Sequence, residues 1–388
     1  MRGDTARMLR RHNQSLILTA LYHDGPLSRV ELSAVTGLGA AAVSQLVAIL
    51  LRSRLIREAG QVRSRGGRPR ILLEIDPGAG YLAGVDVAEG CVAWGLFDLA
   101  MRPIDAQRRQ LRSELPDIGK VAGEITSGLR ELLNAADVRE PDLLGVGIGL
   151  PKTAAGGPAT EWSSDRWRAS TGLAAPVFAG RGVHNLALAE SKFGAARGAD
   201  RVVVIELGAG ADAALVVDGR VERICEWGHT TIDYGGRRCH CGVRGCIEAY
   251  VGARGVLRRY HELCQRRPLQ GGNEVTELTA LLASAPRSET AAALVRETAG
   301  HLGAAIGNLI SLFTPTKVVL AGWAGLLLGG RYLAEIGRAA AGYTRPLSYQ
   351  RVSLELGRAG PRAELIGAAA LPLAAVLDRG EDPRTGGG

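Results

Sequence analysis

The chain has 388 residues, 46% of them hydrophobic and 22% charged, which excludes a disordered chain and gives material for two or three globular domains. No apolar run reaches transmembrane length, and the opening MRGDTARMLRRHNQ lacks the layout of a signal peptide. The expected location is therefore the cytoplasm, with no membrane partner and with the six cysteines reduced or ligating rather than joined in a disulfide framework. Of the net charge of +8, residues 1–75 supply nearly all, through twelve Arg, no Lys and five acids. Such asymmetry is the footprint of a nucleic-acid-binding module attached to a near-neutral body.

Residues 13–23, NQSLILTALYH, place Leu16, Ile17, Ala20 and Leu21 on one helical face, and Gly25-Pro26 ends that helix. Ser28-Arg29-Val30-Glu31 is a capping box that opens a second, short helix with apolar Val30, Leu32 and Val35. After a turn at Thr36-Gly37-Leu38, Ala40 to Arg52 reads as a third helix with Val43, Leu46, Val47 and Leu50 inward. This is the helix-turn-helix order. A basic loop, QVRSRGGRPR, follows between Leu55-Ile56-Arg57 and Ile71-Leu72-Leu73 and reads as a wing. The third helix begins Gly39-Ala40-Ala41-Ala42, so Ser44, Gln45 and Arg52 are the side chains left for base edges and phosphates. Arg65, Arg68 and Arg70 suit a narrow A·T-rich minor groove, and the partner is double-stranded DNA.

From Tyr81 the pattern changes to Gly-punctuated α and β units. Leu82–Val87, Cys91–Phe97 and Leu143–Gly149 read as strands, with a helix over Ile118–Asn134. A second β set, Val202–Leu207 and Asp212–Val217, follows a helix over Leu186–Phe193. Helices over Thr290–Phe313 and Glu364–Leu377 flank the strand Lys317–Ala321, and RGEDPRTGGG reads as a disordered tail. Within this part lies EWGHTTIDYGGRRCHCGVRGCIE, residues 226–248. His229, Cys239, Cys241 and Cys246 form a Cys₃His set for tetrahedral Zn²⁺, and four protein ligands make a closed, structural site. His240 and Cys225 compete as ligands; His229 is preferred because His240, between two ligating cysteines, should point away from a metal they share. Cys91, Cys225 and Cys264 read as ordinary core or surface positions.

The run CHCGVRGCIE, residues 239–248, preceded by EWGH, residues 226–229, resembles the zinc signature of the ROK family (repressor, open reading frame, kinase). Residues 8–77 are similar to the winged helix-turn-helix of ROK regulators, including GPLSRVELSAVTGL and the GGRPR-ILLEIDP exit. The resemblance implies an α/β fold: an N-terminal winged helix-turn-helix over 1–77, then a two-lobed, actin-like, ribonuclease-H-like body. Its first lobe spans 78–185, completed by a C-terminal helix over 362–378, and its second spans 186–361 with the zinc motif. In that family the Glu and His before the cysteines and the Glu after them border a sugar pocket, so Glu226, His229 and Glu248 are expected to bind an effector, with His184 and Asn185 nearby.

The resemblance also implies how far the chain departs from a kinase. The first phosphate loop reads Asp86-Val87-Ala88-Glu89-Gly90, without the family's second Gly and Thr, and the second reads Leu207-Gly208-Ala209-Gly210-Ala211-Asp212. Gly182 stands where family kinases carry the Asp general base, and Ala321-Gly322-Trp323 replaces the adenine-side Gly-Gly. The loop between Pro151 and Pro176, with Glu161, Trp162, Asp165, Arg166, Trp167 and Arg168, is short for the family. These features predict a homodimeric or homotetrameric transcriptional regulator with a structural zinc and a non-catalytic cleft for a small effector, sugar-like or other, though not plain glucose. Two rivals stay open: an ATP-dependent sugar kinase with an appended DNA-binding domain, and a regulator that acts through protein contacts alone.

Overall fold

The computed structural model describes residues 2–62, 69–88, 91–111, 118–150, 169, 172–265, 273–360 and 362–380. They fall into two units, Met1–Arg181 with Ala368–Gly388, and Gly182–Gly367. Wing residues Arg65 and Arg68, Glu89 and Gly90 of the first phosphate loop, Glu161 to Arg168 and the tail from 381 lie outside the described residues.

The first unit opens with α1 (Arg2–Asp24), the two-residue strand β1 (Leu27–Ser28), α2 (Arg29–Thr36) and α3 (Ala40–Arg52). The capping box forms: the Ser28 hydroxyl accepts from Glu31 N at 3.4 Å, and Ser28 N donates to Glu31 Oε2 at 2.7 Å. Gly37, at φ 71°, ends α2 in the left-handed conformation that a side chain would resist, and so sets the turn into α3. Strands β2 (Ile56–Val62) and β3 (Arg70–Ile75) complete a three-stranded sheet in the order β1-β3-β2. Ile17, Leu18, Leu21, Leu32, Val43, Leu46, Val47, Leu50 and Leu73 are buried and form the core of this head. The inward face of α1 is turned slightly from expectation: Leu18 is buried while Leu16 and Ala20 are half-buried. On α2 only Leu32 is buried, and Val30 and Val35 are more than half exposed, because an eight-residue helix presents one narrow stripe.

The same unit continues as β4 (Tyr81–Ala88), β5 (Cys91–Asp98), β6 (Pro103–Gln110), α4 (Ile118–Ala135), β7 (Leu143–Leu150) and β8 (Val177–Arg181). The sheet runs β6-β5-β4-β7-β8, with β4, β7 and β8 parallel. Every residue of β7 is buried, as a central parallel strand requires. Helix α4 lies on β5 because Gly128 has no side chain where the Trp94 ring sits, and the Trp94 indole N–H donates to Ile125 O at 3.0 Å.

The second unit begins with α5 (Gly182–Phe193), four residues earlier than the apolar pattern gives. Then come β9 (Arg201–Leu207), β10 (Ala211–Val217), β11 (Arg220–Cys225), α6 (Glu248–Val251), α7 (Ala253–Leu263), α8 (Glu274–Ser284) and α9 (Glu289–Phe313). β12 (Lys317–Ala321), α10 (Trp323–Gly342), α11 (Pro346–Tyr349) and β13 (Ser353–Leu356) follow, and α12 (Ala363–Arg379) begins in this unit and ends in the first. The sheet order is β11-β10-β9-β12-β13. Alternation along β9 splits the core in two: Val203, Ile205 and Leu207 face the layer that includes α9 and α10, and Val202 and Val204 face α5. Among the described residues, no single helix is long and apolar enough to cross a membrane.

Candidate metal centre and effector site

Between β11 and α6 the chain has little regular structure, and its turns are set by glycine. Gly242 and Gly245 have φ of 94° and 81°, and a side chain on Gly245 would overlap the Asp233 carbonyl. Cys239 N donates to Val243 O at 2.8 Å, and single bridges join Thr231 to Cys246 and Arg238 to Arg244. These turns bring together one ligand atom each from His229, Cys239, Cys241 and Cys246, all within 4.8 Å of one another. Cys239 Sγ lies 3.8 Å from His229 Nδ1, and Cys241 Sγ lies 3.8 Å from Cys246 Sγ. A tetrahedral metal with sulfur at about 2.3 Å requires S···S edges of about 3.8 Å, so the donor set has the size and chemistry for one ion. Cys225 is not part of it; it pairs with Ala213 in the β10–β11 ladder.

Two of the thiols, Cys239 and Cys246, are poorly placed to ionise without a cation. Burial, and then the neighbouring thiols, push Cys246 up to about 12, and burial foremost raises Cys239. At Cys241 burial also acts upward, but the Val243 N–H and the two neighbouring thiols outweigh it and the net shift is downward. A divalent cation reverses this balance, since it stabilises all three thiolates at once.

The expectation that His240 points away from the sulfur set is corrected in part. Its Nδ1 is 3.8 Å from Cys239 Sγ and 2.7 Å from Glu248 Oε1, and it forms a second close group with His229 and Glu248. The buried Glu248 carboxylate holds the ring at the edge of the set. The other Glu248 oxygen accepts from Ala211 N at 2.9 Å, and His229 N donates to Glu226 O at 3.0 Å. Glu248 therefore borders the β9–β10 turn, Gly228 beside His229 packs against Ala211, and Glu226 is exposed.

The other two candidate effector residues lie on α5. Burial pulls the His184 imidazole below its ordinary pKa, against a weaker opposing pull from Asn185. Asn185 is fully buried, and among the described residues its amide bears on the His184 ring without reaching strict hydrogen-bonding geometry. The two halves are linked through the turn: Ala211, held by Glu248, precedes Asp212, which is the cross-strand partner of Glu206. The Glu206 carboxylate lies against Gly182, the first residue of α5; a Cβ there would be 3.1 Å from Glu206 Oε1. Glu206 escaped the sequence reading, although one signal was present: alternate residues Val202, Val204 and Glu206 make an apolar stripe ending in an acid.

The turn itself, Leu207 to Ala211, is closed by its neighbours. Gly208 N donates to Gly210 O at 3.0 Å, and the carbonyls of Gly208 and Ala209 accept from Ala253 N and Arg254 N at 3.0 and 3.2 Å. The Trp323 indole nitrogen lies 3.1 Å from where a Cβ on Gly208 would stand. In the head, Ser44, Gln45 and Arg52 are exposed on α3 and Arg70 is exposed at the start of β3. Ser44 Oγ donates to Ala40 O of its own helix at 2.8 Å.

Known proteins resemble the chain over most of its length. It is 27% identical to the xylose repressor of Bacillus subtilis over 330 residues, 79% of this chain and 81% of that one. It is 26% identical to the Escherichia coli K12 DNA-binding transcriptional dual regulator NagC over 338 residues, 81% of each. In fold it is similar to the crystal structure of a ROK family transcriptional regulator, a homologue of the E. coli MLC protein. That match has a TM-score of 0.78 and 24% identity, covering 96% of this chain and 98% of the other. The sequence model of the ROK family matches residues 164–375, more than half of the length, and the chain belongs to that family.

Proposed function

We propose that this protein is a DNA-binding transcriptional regulator whose ROK body holds one structural zinc and binds a small, sugar-like effector without chemical turnover. The observation that supports it most is the joining of a winged helix-turn-helix, with an exposed α3 face, to a ROK body whose phosphate-type turn is already occupied. Ser44, Gln45 and Arg52 would meet the major groove and its phosphates. Arg70, with Arg65 and Arg68 of the wing, would meet the minor groove of an A·T-rich, roughly palindromic site read by a dimer. His229, Cys239, Cys241 and Cys246 would hold the zinc, which supplies rigidity to the loop rather than a reacting group. Glu226, His229, Glu248, His184 and Asn185 would line the effector pocket, and the protein would work in the cytoplasm.

The kinase reading is disfavoured by particular atoms. A phosphate-binding turn needs free backbone N–H groups. Here Ala211 N donates to the Glu248 carboxylate and Gly208 N donates within the turn, while Trp323 stands over Gly208. Gly182 offers no general base, a loss that costs about 10² to 10⁴ in rate. Assays of ADP release with hexoses and N-acetylated amino sugars should show no sugar-dependent turnover; clear turnover would return the chain to the kinases. The regulator reading is tested by footprinting on the DNA upstream of the chain's own coding sequence and on neighbouring promoters, with and without xylose or N-acetylglucosamine. Protection that a sugar changes supports it. No protection on any of these DNAs would favour a protein that acts through protein contacts.

A further inference from the structure

We propose that α12 is the element through which an effector bound to the body acts on DNA binding: its first turns are seated on α5, and its end is seated on α1 of the DNA-binding head. The inference rests on the effector-controlled regulator proposed above and names the route of that control.

Three close backbone approaches follow one another along the helix. At its start, a Cβ on Gly367 would stand 1.8 Å from the Asn185 carbonyl oxygen, so α12 meets the main chain of α5 in the turn that carries His184 and Asn185. One residue on, Ala368 O lies so close to Gly147 of the buried strand β7 that a Cβ there would stand 1.8 Å from it. Past the end of the helix, Gly380 is buried at φ 69°, and a side chain on it would stand 2.5 Å from Arg11 O and 2.8 Å from Ser15 N of α1. Gln14, between these two, is buried one helical turn before Ile17 and Leu18 of the head's core. In each case main chain approaches main chain with no side chain between. Such a contact cannot be relieved by a change of rotamer, and a close-packed interior transmits displacement because it is barely compressible. The apolar face of α12, with Ala369, Ala370, Leu373, Val376 and Leu377 buried, explains why the helix is packed. It does not require backbone contact at both ends.

The helix also carries a joint. Pro372 lies inside α12; it has no N–H to donate to Ala368 O, and its ring crowds that carbonyl. Ala368 is the first residue of α12 that belongs to the first unit. The hydrogen-bond ladder is therefore interrupted where the helix passes from one unit into the other, and interior prolines are where helices bend. An interrupted helix has more than one arrangement open to it, and a ligand that favours one of them shifts the balance. The segment from Pro372 to Arg379 then carries the change to α1, with Ala368 against Gly147 as the pivot.

The test uses the full-length, zinc-loaded protein and the footprinted DNA. Gel-shift titrations with and without saturating xylose or N-acetylglucosamine give the factor by which the sugar changes DNA affinity, about 5- to 150-fold where two sites are coupled. Calorimetry gives sugar affinity, and zinc content and thermal unfolding report the fold. Gly380→Ala, which sets a methyl against the α1 backbone, should leave sugar affinity within about twofold of wild type and bring the coupling factor to within about twofold of one. Pro372→Ala supplies the missing donor to Ala368 O, removes the joint and should lower the factor as well. Because coupling is reciprocal, hydrogen exchange with DNA alone is a second readout: DNA should change the protection of α5 in wild type and leave it unchanged in Gly380→Ala, a difference that a merely structural contact would not produce. A wild-type factor in Gly380→Ala, with the DNA-induced change in α5 retained, overturns the relay and leaves the regulator reading intact. If Gly380→Ala does not fold, an unchanged factor in Pro372→Ala overturns it. Where neither sugar alters DNA binding by wild type, the sugar-effector reading fails and hydrogen exchange alone decides the relay: α5 unchanged by DNA overturns it, as does a protein that footprints no DNA.

Discussion

Cys241 is the exposed member of a sulfur set whose other two members, Cys239 and Cys246, are buried, so it can be changed with little loss of packing. Cys241→Ser should abolish stoichiometric zinc and lower the unfolding temperature to that of the chelator-treated wild type, as expected where metal binding and local folding are coupled. Unchanged zinc by elemental analysis would remove Cys241 from the ligand set. Glu364, in the first turn of α12, gives a prediction in pH. Burial first, and the nearby Glu190 carboxylate with it, raise its pKa. Folding therefore favours the protonated form, and stability present at acid pH is lost as the pH rises through the raised value. Glu364→Gln should unfold at a higher temperature than wild type at pH 8, with the difference closing towards pH 4; equal pH profiles would refute the assignment. The metal set was legible because its ligands lie close in sequence and the spacing itself names the chemistry. Glu206 was not, because its approach to Gly182 depends on which face of β9 meets α5, and that is fixed by pairing across the whole sheet. His240 was misread for a related reason: its orientation follows the Glu248 carboxylate, eight residues on.

Among the elements, those with local signals were the ones the sequence could give. The α2 cap is an example, with Ser28 and Glu31 bonding reciprocally at the start of the helix. Ser28→Ala should cost about 1 kcal/mol, the usual worth of an N-cap side chain, and a denaturation midpoint unmoved from wild type would argue against it. The strands β6, β8, β11 and β13 were not legible. All four are edge strands of their sheets with mixed burial, so their residues lack the clean alternation of a half-buried strand. The N-terminus of α5 was missed because Gly182-Val183-His184-Asn185 carries no strong helix former; the helix begins there because it continues directly from β8. Helix α2 shows that apolar type alone does not fix burial: Leu32 is buried, whereas Val30 and Val35 are exposed.

Across the whole molecule, charge is segregated rather than spread. Twelve arginines against five acids fall in residues 1–75, while the chain as a whole carries only +8. A head that binds DNA mainly through guanidinium–phosphate contacts releases counterions in proportion to those contacts, so its affinity should fall steeply with salt. The body is close to neutral, and xylose and N-acetylglucosamine carry no charge, so affinity for such a sugar should barely respond. Gel-shift titrations with the footprinted DNA at 50 and 200 mM salt should therefore differ by about tenfold or more, while calorimetry with the sugar changes little between the same conditions. Substituting Arg70 by Ala should lower the salt slope and weaken A·T-rich sites more than others, because a guanidinium in a narrow minor groove responds to the negative potential that A·T sequence creates there. Gln45→Ala should leave the slope alone and relax sequence preference. A DNA affinity flat in salt would mean that the basic head meets something other than a phosphate backbone. The sugar can act on that binding only if it favours one arrangement of the protein over another, so a sugar that binds tightly yet leaves the DNA titration unmoved would locate the regulatory signal elsewhere.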